Sequence, residues 1–298
     1  MKYAPMVLFA YKRPDHIRRC VESLLRNPEA AECRLTVYSD APAAEADIPL
    51  VSEVRKYLHT ISGFACVDIV EQEHHRGLAG SVICGIDRAL AESDRVVVLE
   101  DDLEVSPYFL RYMFEALELY QDDPQVMEIH GFTPVDGTVC GETMFLRGAD
   151  CWGWGTWRRA WHNFEPDSLK LLARFNRRSR REFDLDGAFP YYRMLEDQAA
   201  GRIDSWAVRW HASAFLAGGL TLYPARSLVR NTGFDGTGTH RGSNWEGRAD
   251  LAAEPVEVVR IPIAESECFK NLMIKYYRRK RGNMALRLMR RIFHILFG

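Results

Sequence analysis

No stretch of the 298-residue chain holds about 18 consecutive apolar residues, so no helix able to span a bilayer is expected. The chain does not open with a charged segment followed by a small-residue cleavage site, and no signal peptide is expected. Cys-x-x-Cys and the Cys/His spacings of zinc sites are missing, which excludes the common structural metal modules. The seven cysteines are odd in number and irregularly spaced, and read as free thiols of a reducing compartment. There is no internal repeat and no low-complexity stretch. What is present is ordinary globular material, with 47% apolar and 27% charged residues, long enough to bury a core without covalent staples.

One absence is local. Of 39 Lys and Arg, nine lie in residues 270–298, which contain none of the 41 acids. Residues 1–269 therefore carry 30 basic against 41 acidic residues, an acidic body with a basic tail. After Gly282 the tail interleaves Leu, Met, Ile and Phe with Arg287, Arg290 and Arg291. That pattern suits an amphipathic helix on an anionic membrane, or a terminal helix packed on its own domain with a solvated basic face. The acidic body would repel nucleic acid, and none is expected as partner.

Apolar runs of strand length occur at 6–11, 34–38, 67–72 and 95–99. Helical periodicity follows each: from Pro14 and Asp15, over 50–58, over 78–91, and from a Ser106 cap with Pro107 through Tyr120. The alternation predicts an α/β fold with a doubly wound, mostly parallel sheet. The second half is irregular, rich in Trp, Gly and Arg, with one further strand near 220–224.

Open parallel sheets bind ligands at the carboxyl ends of their strands. The polar residues there are Lys12 and Arg13, Asp40, His75 and Arg76, and the triplet Glu100-Asp101-Asp102. Three adjacent carboxylates repel one another, and a cation relieves that. Oxygen ligands suit Mg²⁺ or Mn²⁺, which commonly bridge a protein carboxylate to substrate phosphates.

The segment LEDDLEVSPYFLRYM resembles the acidic motif of GT-A glycosyltransferases, especially the N-acetylglucosaminyltransferase I family, which reads Glu-Asp-Asp-Leu-Glu-Val there. VLFAYKRPDHIRRCVESLL resembles that family's first strand and helix, and TVYSDAP its second strand. Gly77 to Ser81 is similar to a segment of bacterial family 2-like sugar transferases. The likeness covers residues 5–240 and is strongest over 5–120. It implies a GT-A, Rossmann-like sheet flanked by helices. Residues 1–148 would form the nucleotide-sugar half and 149–268 an irregular acceptor half, with 269–298 as the tail. It further implies that Arg13, Asp40, Arg76, Glu100 and Asp101 contact the nucleotide and that Asp102 holds Mn²⁺ or Mg²⁺.

In the second half, CWGWGTW places Trp152 and Trp154 where rings could stack on a sugar, or form a glycine-hinged core plug. An inverting transfer needs a carboxylate base on the acceptor hydroxyl. Glu196 and Asp197 in LEDQ resemble the base dipeptide of inverting GT-A enzymes. Asp204 in IDSWAVRW resembles the base-bearing Asp-Asp-Trp segment, with Ser205 in place of the second aspartate and Trp206 beside the substrate. The loop from Asn231 ends in His240, which could ligate the metal or touch the diphosphate. Arg174, Arg177, Arg178, Arg180 and Arg181 form either a solvated helix face or a patch for acceptor phosphate or lipid headgroup.

The expected protein is a cytoplasmic glycosyltransferase, peripheral on the inner membrane face. It would move a hexosyl or N-acetylhexosaminyl group from a UDP-linked donor to a saccharide or lipid-linked acceptor, in surface polysaccharide or glycoconjugate synthesis. A sugar-nucleotidyltransferase would share the sheet but should carry a Gly-rich loop after the first strand, where this chain has AYKRPDH. An inactive nucleotide- or sugar-binding module is the non-enzymatic rival.

Overall fold

The computed structural model describes residues 3–235 and 249–281. Its strands, in chain order, are β1 (Met6–Ala10), β2 (Arg34–Ser39), β3 (Cys66–Glu71), β4 (Arg95–Glu100), β5 (Leu103–Val105), β6 (Val126–His130), β7 (Thr143–Arg147), β8 (Trp154–Trp157), β9 (Leu220–Pro224) and β10 (Val229–Asn231). The helices are α1 (Pro14–Leu25), α2 (Ile48–Leu58), α3 (Gly77–Glu92), α4 (Phe109–Leu119), α5 (Arg158–Trp161), α6 (Ser168–Ala173), α7 (Arg177–Phe183), α8 (Tyr191–Ala199) and α9 (Trp206–Leu216). A tenth, α10, spans 267–281.

Eight strands form one sheet in the order β3-β2-β1-β4-β8-β6-β9-β7. β3, β2, β1 and β4 are parallel, as the βαβ alternation predicts. β1 and the interior of β4 are buried, which is why both read as unbroken apolar runs. α1 turns Ile17, Cys20, Val21 and Leu24 inward at helical spacing. α3 lies so close to the sheet that a Cβ on Gly85 would come within 2.6 Å of the Phe9 ring. The α/β sheet with its covering helices agrees with the α/β fold that the sequence led us to expect.

Beyond β4 the chain departs from expectation. The second half supplies several strands, not one. β8 inserts antiparallel between β4 and β6, and β7 runs antiparallel at the edge. The sequence WGTW hides a strand because its glycine reads as a breaker. Gly155 is needed there, since a Cβ would press on Val96 O and the Leu117 side chain. α4 also begins later than expected, at Phe109. The hydroxyl of Ser106 accepts from Tyr108 N and donates to Ala252 O, while Ser106 N donates to Leu228 O, so Ser106 ties strand ends together.

Two further expectations are corrected. Cys140 and Cys268 form a disulfide across 128 residues, so the cysteines are not all free thiols. Sequence spacing could not reveal a pair that only the fold brings together, and the thiol argument for a reducing compartment lapses. The body also does not stop at residue 268. Phe269, Met273 and Ile274 of α10 are buried against Met144, Leu146 and Tyr223. Residues 282–298, the rest of the expected tail, lie outside the described residues. Among the described residues no helix is long and apolar enough to cross a membrane.

Candidate active site

The carboxyl ends of β1, β2 and β4 and the start of α3 meet around a cavity of about 250 Å³. Phe9, Tyr38, Asp40, Ser81, Glu100 and Asp101 contribute to its lining. β1 and β4 are hydrogen-bonded neighbours, which brings the Arg13 loop beside the acidic triplet. One Nη of Arg13 donates to Asp101 Oδ1 at 2.6 Å and to Asp102 Oδ2 at 3.0 Å. Tyr11 N donates to the other Asp101 oxygen at 3.2 Å. Asp47 fixes this loop from outside, accepting from Tyr11 OH and Lys12 Nζ, each at 2.7 Å.

Burial dominates the electrostatics. Glu100 is pushed up to about 8, first by burial and then by Asp102 and Asp101. Burial likewise raises Asp101 to about 6, against the opposing pull of Arg13. Asp102 Oδ1 is buried without a hydrogen-bond partner, whereas its Oδ2 faces Arg13. A hard, unsatisfied carboxylate oxygen of this kind fits a divalent cation. Among the described residues no group of three His, Cys, Asp or Glu could enclose a metal.

Asp40 is more engaged than expected. Its carboxylate accepts from the backbone N–H of Ala41, Arg76 and Gly77, each at 2.9 Å. His75 Nδ1 stands 3.0 Å away. The residue thus caps the start of α3 from across the sheet, where the helix dipole favours an anion. Arg76 sits at that cap, with its guanidinium near Cys84 Sγ.

A strap from late in the chain closes the other side. β10 pairs antiparallel with β5, just after the acidic triplet. Thr232 donates to Asp102 O through both N and Oγ1, at 2.8 and 2.9 Å. A Cβ on Gly233 would lie 2.2 Å from Asp102 Oδ2, so only glycine lets the strap pass there. His16 Nε2 lies 3.3 Å from Thr232 O and 3.2 Å from Asp235 Oδ2. His16 was not anticipated; nothing local marks it, since its partners lie more than 200 residues on. The expected 231–240 loop thus reaches the triplet as far as residue 235, and His240 lies outside the described residues.

The tryptophans divide. Trp154 is fully buried and stacks on buried Trp206, with ring centroids 5.4 Å apart. Both are packing residues here, which corrects their expected place at the substrate. Trp152 is partly exposed and touches Phe132 and, at 5.7 Å, Phe234 beside the strap. The candidate carboxylates Glu196, Asp197 and Asp204 are not drawn together. Glu196 and Asp197 share Arg193 on α8, Asp197 also pairs with Arg202, and Asp204 lies 3.4 Å from Arg209.

Residues 6–137 match the family model of glycosyl transferase family 2. The matched stretch carries Arg13, Asp40, Arg76 and the acidic triplet. Solved structures similar to the chain include the mannosyltransferase PcManGT from Pyrobaculum calidifontis in complex with GDP-Man and Mn²⁺. That enzyme is 14% identical, with a TM-score of 0.41, over 72% of this chain and 70% of its own. S. aureus TarS is 13% identical, with a TM-score of 0.32, over 57% of this chain and 30% of its own. No curated protein matches the sequence of the chain.

Proposed function

We propose that the chain is a divalent-metal-dependent, inverting glycosyltransferase that uses a nucleotide-sugar, UDP-linked by the family resemblance, and a saccharide or lipid-linked acceptor. The observation that carries this reading is the buried pair Asp101 and Asp102 at the end of β4, bridged by Arg13 beside the β1–β2–α3 cavity. Asp102, through its unsatisfied Oδ1, would hold the cation. When bound, Mn²⁺ or Mg²⁺ would neutralise charge on the leaving diphosphate.

The chain's own residues do the rest. The cavity between Phe9, Tyr38 and Asp40 takes the base and ribose, with Glu100 and Asp101 facing them. Arg13 is placed to exchange its carboxylate partners for phosphate oxygens. The acceptor oxygen attacks the anomeric carbon, its proton passes to a carboxylate, and the nucleoside diphosphate departs with the electrons of the broken C–O bond. We assign that proton to Asp204. It is the most exposed of the three carboxylates and immediately precedes the α9 cap Ser205, beside the Trp154–Trp206 stack. Trp152 is the ring available to a sugar face.

Calorimetric titration of UDP, GDP, CDP and dTDP, with Mn²⁺ and with EDTA, tests the reading. One nucleotide should bind only with metal present, and Asp102→Ala should abolish that binding. If none binds, the donor site is wrongly placed and the reading fails.

A further inference from the structure

Two acid-free basic stretches stand far apart in sequence. Residues 174–181 hold five Arg, and residues 270–281 hold six Lys or Arg. The fold joins them. The turn after α7 places Leu185, Asp186 and Gly187 at φ values of 48°, 53° and 80°, three successive left-handed residues. Its carbonyls meet α10: Arg278 donates to Asp186 O at 3.5 Å, and Arg281 to Gly187 O at 3.1 Å. The Asp186 carboxylate lies 4.0 Å from Arg181 Nε and 3.9 Å from Lys270 Nζ. Left-handed backbone at two non-glycine positions is costly and persists only where surrounding contacts hold it. Here those contacts clasp α7 to α10.

The charge of this seam faces outward. α10 buries Phe269, Met273 and Ile274, while Lys275, Arg278, Arg279 and Arg281 are exposed. The arginines of α7 are exposed as well. Counting Glu182, Asp184 and Asp186, residues 174–187 and 270–281 together hold eleven basic and three acidic residues, a net +8. The remainder of the chain, 28 basic against 38 acidic, is −10. An object so polarised is attracted to a surface that touches one side only. A polyanion that wraps the molecule would meet the acidic body.

We propose that α7 and α10 form a single basic face that docks on an anionic phospholipid bilayer. The face goes beyond the glycosyltransferase reading and does not depend on it. The sequence after α10 continues the same chemistry with Arg287, Arg290, Arg291 and interleaved apolar residues.

The test is flotation of the full chain with phosphatidylcholine vesicles, with and without phosphatidylglycerol, at low and high salt. Binding should require phosphatidylglycerol and weaken with salt, by screening. Each basic residue near the surface is worth about fivefold in partition. Replacing Arg177, Arg178, Arg180 and Arg181 with Gln should therefore cut binding by more than tenfold although 282–298 are intact. Arg178, Arg180 and Arg181 make local contacts, so K275Q/R279Q serves as a second variant and should lose over tenfold alone. Both variants are first shown to melt like the parent. Undiminished binding by either folded variant would overturn the proposal. So would indifference to phosphatidylglycerol, or retention on heparin without vesicle binding. None of these readouts uses nucleotide, so failure here leaves the donor-site reading untouched.

Discussion

The two halves of the molecule treat their carboxylates in opposite ways. In the first half, Asp101 and Asp102 are buried and share one arginine, and a lone Asp102 oxygen is left unsatisfied. In the second half, Glu196, Asp197 and Asp204 lie on short helices or loops, each beside an arginine. Exposed ion pairs contribute little and are common, while buried like charges are costly and persist where something uses them. The aromatics reverse the contrast: Trp154 is core, and Trp152 is available.

The sharpest test of that contrast is Trp154→Ala against Trp152→Ala. The first should cost about 3–5 kcal/mol of stability and the second much less, read from urea unfolding midpoints. Equal losses would erase the division between packing and contact. Next, Arg13→Ala strands the buried aspartates and should cost about 3 kcal/mol, with added Mn²⁺ recovering part of the melting temperature. A variant as stable as the parent would mean that Arg13 does not hold the pair.

A pH series sharpens the same point. The fold keeps Glu100 and Asp101 protonated up to about 8 and about 6, above the usual carboxylate range near 4. In that window the folded chain binds more protons than the unfolded one. Their contribution is thus complete in acid and falls as pH rises through about 6 and 8. Glu100→Gln should match the parent near pH 4 and be the more stable at pH 8; the same ranking at both pH values would contradict the burial argument. The smallest effect on stability is expected at Asp204, where replacement by Asn should change it by under about 0.5 kcal/mol. The same variant should lower turnover of the bound donor by about 10²–10⁴, and unchanged turnover would remove Asp204 as base.

Much of the first half could be read in advance. Buried parallel strands leave unbroken apolar runs, and residues that follow them gather at one sheet end. Arg13, Asp40, Arg76 and the triplet are all adjacent to a strand or helix end. Asp40 shows the limit of that reasoning: its place was evident, but its bonds to the α3 backbone depend on a loop more than 30 residues away. The second half resisted because its information is not local. β8 is recognisable only beside β4 and β6, the Cys140–Cys268 pair spans 128 residues, and His16 meets partners at 232 and 235.

The strap of β10 over Asp102 also bears on how the protein is born. The stretch that matches the family model ends at residue 137, yet its strand β4 needs β8 on its open edge and its β5 needs β10 as partner. A nascent chain that has released only that stretch would present an unpaired, apolar β4 edge and an acidic triplet with no cover. Closure waits until residues 229–235 have left the ribosome, a contact of high sequence separation that forms slowly. The stretch that matches the family is therefore not the unit that folds. Cut at residue 137, it should emerge aggregation-prone, with Arg13, Asp40, Arg76 and the triplet in its sequence and no finished site to show for them.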